Sequence, residues 1–216
     1  MLLVKEIRLK FFFEELIKLH KESMYDHKIN KGYFEEITLV LEKAIDDEEK
    51  EFENYISYIE KLEYKSPSEW LFIMNNNQFK SAISKARNYL IKFKESIKEI
   101  DIIRVSLVYL NFDFSNILVK DKKILGIEKM KISPFIYDIK DIFDKSYNLS
   151  IDIMMFIKMY FNEVELYDYE KNWLMAILSI PLIDYSITDE IDKIINISKI
   201  NYHINRTNEI ESLINK

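Results

Sequence analysis

The sequence has no cysteine, so neither disulfides nor thiolate metal sites hold its fold together, and a reducing compartment suits it. It has only two glycines, Gly32 and Gly126, which lie far apart. A P-loop, a dinucleotide fingerprint or a kinase glycine-rich loop needs several glycines within a few residues, because backbone amides must approach phosphates closely. A nucleotide site here must therefore lack a glycine cradle or lie in another chain. Long apolar runs are also missing. The segments LFIM and IMMF fall far short of the roughly 20 residues of a spanning helix. The N-terminal MLLVKEIRLKFFFEEL is interrupted by Lys5, Glu6, Arg8 and Lys10, so it offers no signal-peptide core. No membrane is expected as a partner, and a soluble, cytoplasmic protein is. Charge of one sign is lacking too. With 31 basic and 37 acidic residues spread throughout and a net charge of -6, there is no basic stripe to neutralise a phosphate backbone, and nucleic acid is not expected as a partner.

What is present is core material: 48% hydrophobic and 14% aromatic residues in 216, enough for one sizeable domain over 1–216. From Leu9 to Met24, Phe12, Leu16 and Leu19 recur at helical spacing beside Phe13 and Ile17. His20 sits beside this stripe and reads as a satisfied structural residue. Segment 25–32 reads as a polar connection. A long helical pattern follows from Tyr33 to about Glu63. Its charge run DDEEKE is a solvated face or a break between two helices. Ser66-Pro67-Ser68-Glu69 is a helix start: Ser66 caps, Pro67 suits the first position and Glu69 reaches back. A short helix is expected from there to the asparagine triplet 75–77, and another over Gln78 to Ile100.

The texture changes at Asp101. Val105, Leu107 and Val108, then Ile117-Leu118-Val119 and Ile124-Leu125-Gly126-Ile127, are short and rich in β-branched residues, with Asp121-Lys122-Lys123 as a hairpin turn. Helical patterns return at about 138–147, 150–162 and 168–179. Pro181 breaks them, and Thr188-Asp189-Glu190 opens a C-terminal helical region. The expected fold is mostly α with one small β-hairpin.

The stretch VYLNFDFSNILVKDKKILGIEKM followed by PFIYDI resembles the catalytic core of the aminoglycoside phosphotransferase and choline kinase superfamily. Tyr109-Leu110-Asn111 matches the family's His-Gly-Asp, Asn116-Ile117-Leu118 its downstream Asn and aliphatics, Ile127-Glu128-Lys129 its metal motif, and Tyr137-Asp138-Ile139 its helix start. The flanking Leu19-His20-Lys21-Glu22-Ser23 and ILSIPLID are similar to segments of the spore-coat CotS-like kinase-related proteins. The resemblance implies a protein-kinase-like C-terminal helical lobe, with a catalytic-loop and hairpin remnant at 105–141. The chain begins barely ten residues before the helix that would follow the hinge, so the N-terminal β lobe is expected to be missing.

The departures from the family point away from catalysis. The family's aspartate accepts the proton of the substrate hydroxyl, and its Asn and second Asp hold magnesium against the nucleotide phosphates. Asn111 occupies the base position. A carboxamide orients a hydroxyl but does not take its proton, and general base catalysis contributes about 10²–10⁴ in rate. Asn116 is retained as a metal ligand, whereas Glu128 replaces the metal aspartate and displaces the carboxylate by a methylene. The loop from Glu128 to Asp138 is shorter than the family's. Asn116 and Glu128 are thus at most vestigial metal ligands, no catalytic residue is expected, and neither is a cofactor. The expectation is a degenerate, non-enzymatic relative that binds another protein or itself, with a spore-coat association implied by the resemblance. The alternative is a small-molecule phosphotransferase using ATP and magnesium, with residual groups or with its N-terminal lobe supplied in trans.

A plainer reading makes Asn111 and Asp113 turn residues and lets Asn116 pin a loop. Asp138, Asp141 and Asp144 fall along one helix face, where a solvated face is favoured over a cation site. Phe52, Tyr55 and Tyr58 read as core and interface. His27 and His203 have no partners at ligand spacing, which leaves zinc unsupported.

Overall fold

In the computed structural model, which describes residues 2–30, 32–110, 112–149 and 151–215, the Phe/Leu stripe expected near the N-terminus is the buried face of α1, Leu2–Ser23. The chain divides into two compact units, one of Met1–Lys31, Glu99–Tyr167 and Ser212–Lys216, the other of Gly32–Lys98 and Asp168–Glu211.

The first unit is built on a three-stranded antiparallel sheet. Its central strand, β2, is Ile102–Val108, flanked by β1, Tyr25–Lys28, and by a short strand at Lys131–Ser133. In β1, Tyr25 stands opposite Val105 and Lys28 opposite Ile102. The first four residues of the segment read as a polar connection, 25–32, are therefore an edge strand. Its four side chains are all exposed, so it carries no apolar alternation, and backbone hydrogen bonds alone define it. A polar edge with His27 and Lys28 also discourages further strand pairing.

The expected hairpin is present, with β3, Ile117–Leu118, paired to β4, Lys123–Ile124. Its turn runs through Lys122, at φ 49°, whose N–H donates to the Val119 carbonyl. The strand at Lys131–Ser133, β5, then joins β2 with Leu107 opposite Ile132. Two further helices complete the unit, α4 at Ile136–Leu149 and α5 at Met154–Glu163. The α1 stripe closes over them: Phe13 stacks on Phe156 of α5, and Phe12 meets Tyr109 and Phe112 beyond β2.

The second unit is helical. Helix α2, Tyr33–Glu60, runs without a break through the DDEEKE segment, because Ile45 and Phe52 on either side of it keep one buried stripe continuous. Within that segment Glu48 faces inward and accepts from the Tyr185 hydroxyl and, more weakly, from the Ile183 N–H. Burial raises the Glu48 carboxyl above its ordinary value, and the hydrogen bonds only partly offset this. A carboxyl whose pKa is raised on folding stabilises the fold at pH below its unfolded pKa, and that contribution is lost as pH rises through the folded value. Glu48→Gln, which keeps an acceptor without the charge, is expected to melt higher than the wild type at neutral pH. The gap should close as the pH falls below the ordinary glutamate range; an unchanged or lowered melting temperature at neutral pH would contradict this.

Helix α3, Pro67–Ser96, begins at the expected cap. Ser66 Oγ accepts from the Glu69 N–H, and the Glu69 carboxylate accepts from the Ser66 N–H at 2.6 Å. A second carboxylate, Glu190, accepts from the N–H and the hydroxyl of Ser68 at 2.6 and 2.9 Å. Ser66→Ala should therefore lower stability by about 1 kcal/mol or less in urea unfolding, since Glu190 still holds this helix end. A loss well beyond that would mean the cap carries more than its own bonds. The expected stop at the asparagine triplet does not occur. Asn75 returns its amide to the Leu71 carbonyl, and Phe72, Phe79, Ala82 and Ile83 maintain one buried stripe across it. The small propensity penalty of asparagine is outweighed by that burial.

Against α3 packs α6, Asp168–Ser179, with Trp173 stacked on Phe93 at 5.3 Å and meeting Phe34 edge-on. Helix α7, Glu190–Ile214, starts where Asp189 accepts from the N–H groups of Ile191 and Asp192, as the sequence indicates.

Candidate functional site

The chain leaves β2 at Val108 and turns at once through Tyr109 and Leu110. Leu110 has φ 48°, a left-handed conformation that costs a non-glycine residue about 1–2 kcal/mol. The turn aims two successive N–H groups at one carboxylate. Tyr109 N donates to Asp138 Oδ2 at 2.8 Å and Leu110 N to Asp138 Oδ1 at 2.6 Å. These charge-assisted bonds hold the strained backbone in place.

Asp138 reaches this position through the turn after Pro134, where Tyr137 N–H donates to the Pro134 carbonyl and Asp138 N–H to the Phe135 carbonyl. It lies in the first turn of α4, whose N-terminal dipole favours a carboxylate. It is 2% exposed, and a charge so buried needs partners. Its third donor is His20, in the last turn of α1, with Nε2 at 2.9 Å from Oδ2. With Nε2–H donating there, His20 Nδ1 is the acceptor for the Tyr160 hydroxyl of α5, 2.6 Å away. Three helices thus meet at the loop through one hydrogen-bonded chain, Tyr160 to His20 to Asp138 to backbone. Sequence reasoning took His20 as a satisfied structural residue, which it is, but did not pair it with Asp138. The 118 intervening residues leave no local signal for that pairing.

The acidic row along α4 resolves into three separate roles. Asp138 is buried against the loop instead of lying on a solvated face. Asp141 accepts from the Phe112 N–H at 3.0 Å and pairs with Lys145, and Asp144 pairs with Lys140. The carboxylates therefore do not converge. Among the described residues, no group of three or more histidine and acidic side chains is placed to hold a metal ion.

Asn111 lies outside the described residues. Asp113 is a turn residue. Its carboxylate accepts from the Ser115 N–H at 2.6 Å, opening a 3-10 turn over Phe114–Asn116, and hydrogen bonds from the Ser115 side chain and backbone hold it below the ordinary aspartate value. Asn116 stitches loop to hairpin through its backbone carbonyl, which accepts from the Leu125 N–H at 2.8 Å. Glu128 sits exposed on a 3-10 turn over Ile127–Lys129, entered through Gly126 at φ 79°, where a side chain would be strained. Beside the hairpin, a cavity of about 210 Å³ is walled by Phe12, Leu16, Tyr109 and Ile124, with Glu15 and Lys122 as its charged groups. The arrangement fixes a loop and a hairpin in place; Asp138, the buried carboxylate beside them, already has three donors.

No family model matches the sequence, and no curated protein matches it. The fold is similar to that in the crystal structure of an aminoglycoside phosphotransferase from Alicyclobacillus acidocaldarius subsp. acidocaldarius DSM 446, with a TM-score of 0.57 and 8% sequence identity. The match covers 98% of this chain and 65% of that one, so the chain spans about two thirds of the length of its solved counterpart. The chain therefore has a mostly helical fold with small sheets that matches part of an aminoglycoside-phosphotransferase, kinase-like architecture.

Proposed function

We propose that this protein is a catalytically degenerate relative of the aminoglycoside phosphotransferase and CotS-like kinases that serves as a binding or interaction protein, with association to a spore coat as its setting. The observation that carries this reading is the engagement of Asp138: this buried carboxylate beside the loop already accepts from Tyr109, Leu110 and His20 and braces the backbone there. The carboxamide of Asn111 at the base position supports it, because an amide does not deprotonate a hydroxyl. So does Glu128, which is exposed to water and, among the described residues, belongs to no group of three or more histidine and acidic side chains. Magnesium-dependent phosphoryl transfer relies on positioning and electrostatics, and such a site supplies few of the parts.

Interaction is supported by apolar side chains exposed on the sheet. Leu107 and Ile132 are cross-strand neighbours at 36% and 57% exposure, a surface suited to another protein or a second copy. The second reading, a phosphotransferase with residual activity or with a lobe in trans, is favoured by the retained Asn116 and by the cavity beside the hairpin. An ATP-consumption assay with magnesium and a panel of hydroxylated acceptors separates the two. The background rate is expected, and turnover lost in Asn116→Ala or Glu128→Ala would overturn the proposal.

A further inference from the structure

The hairpin and the two short elements after it concentrate positive charge in a chain whose net charge is -6. Lys120 and Lys122 lie in the turn, Lys123 on β4, Lys129 on the 3-10 turn and Lys131 at the start of β5. Against these five lysines, 120–131 has only Asp121 and Glu128. All five are exposed, and none makes an ion pair among the described residues. Lys94, Lys140 and Lys145, in contrast, each meet a carboxylate. Lysines that hold nothing in their own fold leave their field directed outward.

The same stretch exposes aliphatic surface. Leu125 is 45% and Ile127 61% exposed, and Ile132 on β5 adds to them. A nucleic-acid backbone would gain nothing from these side chains and would be repelled by Asp121 and Glu128. Aliphatic surface interleaved with charge suits a protein interface instead, and a complementary partner is acidic with aliphatic side chains of its own.

The second unit carries such a surface at 182–195, the segment that leads into α7 and forms its first turns. Asp184, Asp189, Glu190 and Asp192 stand there against a single base, Lys193, whose charge acts on Glu190. Asp184 accepts from the N–H and hydroxyl of Ser186, Asp189 from the Ile191 N–H and Glu190 from Ser68. These donors are neutral, so they leave the negative charge in place. None of the four acids makes an ion pair among the described residues. Leu182, Ile191 and Ile195 are exposed in the same segment, Ile191 at 68%. Ile191 and Ile195 are one helical turn apart and share a side of α7, with Asp192 next to them.

We infer that the lysine-bearing hairpin of one copy docks on the 182–195 segment of a second copy. This rests on the reading of the chain as an interaction protein and names its partner. The two surfaces differ, so the contact is heterologous. Association therefore runs on into open chains or closes as a ring.

Size-exclusion chromatography with light scattering on the whole chain, from micromolar to near-millimolar concentration, tests this. At about 50 mM salt the mass is expected to rise from the monomer's 26.1 kDa to at least double, and at about 0.5 M salt, where exposed charges are screened, to return to the monomer. The variants Lys123→Glu/Lys129→Glu and Asp184→Lys/Asp192→Lys reverse charge at exposed positions, and a cooperative melt shows that each is folded. Each alone should stay monomeric at low salt. An equimolar mixture of the two should associate again, because each supplies the surface that the other has lost. A wild type that stays monomeric throughout, association that survives either variant, or a mixture that stays monomeric would overturn the inference. The ATP-consumption assay is read separately, so a failure here leaves the non-catalytic reading standing.

Discussion

Replacing Asp138 with alanine is expected to remove about 3–5 kcal/mol of stability from the first unit, the penalty for breaking a buried charged network by deleting one member. The deletion leaves the N–H groups of Tyr109 and Leu110 and the Nε2–H of His20 without their acceptor, all of them buried or half-buried. It also removes the force that keeps Leu110 left-handed. Urea unfolding monitored by circular dichroism reads the loss. Hydrogen exchange localises it, because the amides of Tyr109 and Leu110 should lose protection while those of α3 keep theirs. Asp138→Asn should fall between, since a carboxamide has one acceptor oxygen where the carboxylate offers two. If Asp138→Ala unfolds at the wild-type urea midpoint, the network does not brace the loop.

Trp173→Ala is expected to cost a comparable 3–5 kcal/mol, in the second unit. Trp173 is 1% exposed, and its indole fills the space between Phe93 and Phe34, so truncation opens a cavity that long helices cannot collapse into. Trp173→Phe preserves an aromatic face against Phe93 and should lose distinctly less. Total stabilities of single domains run to about 5–15 kcal/mol, so either alanine variant consumes a large share. Equal losses in the alanine and phenylalanine variants would show that the stacking geometry is not what Trp173 contributes.

The helices were legible in the sequence because their apolar residues repeat at helical period over many turns. The Phe12–Leu16 stripe, the Ser66–Glu69 box and the helix opening at Thr188-Asp189-Glu190 all appear as read. The stop expected at the asparagine triplet does not occur, and of the two readings of the DDEEKE run the break does not. Local composition favours a stop at the triplet and allows one at DDEEKE, yet both segments are carried through by the buried residues on either side. Strands β1 and β5 were not anticipated because they are short and largely exposed; their side chains record no period, and only backbone pairing defines them.

The candidate site divides in the same way. The loop, the hairpin and the helix start were legible as an ordered set of short motifs. The linkage of His20 to Asp138 was not, since one lies in α1 and the other in α4, each within a separate short motif that says nothing of the other. Such long-range pairing of a buried acid with a histidine is a property of the folded chain, and a single sequence gives no measure of it.

Isothermal titration of magnesium-ATP into the protein tests the central claim most directly, that the kinase-like loop is held in place but no longer serves phosphoryl transfer. No saturable heat is predicted, with or without the metal. Saturable, magnesium-dependent binding that disappears in Asn116→Ala would contradict the account and restore the loop as a working nucleotide site.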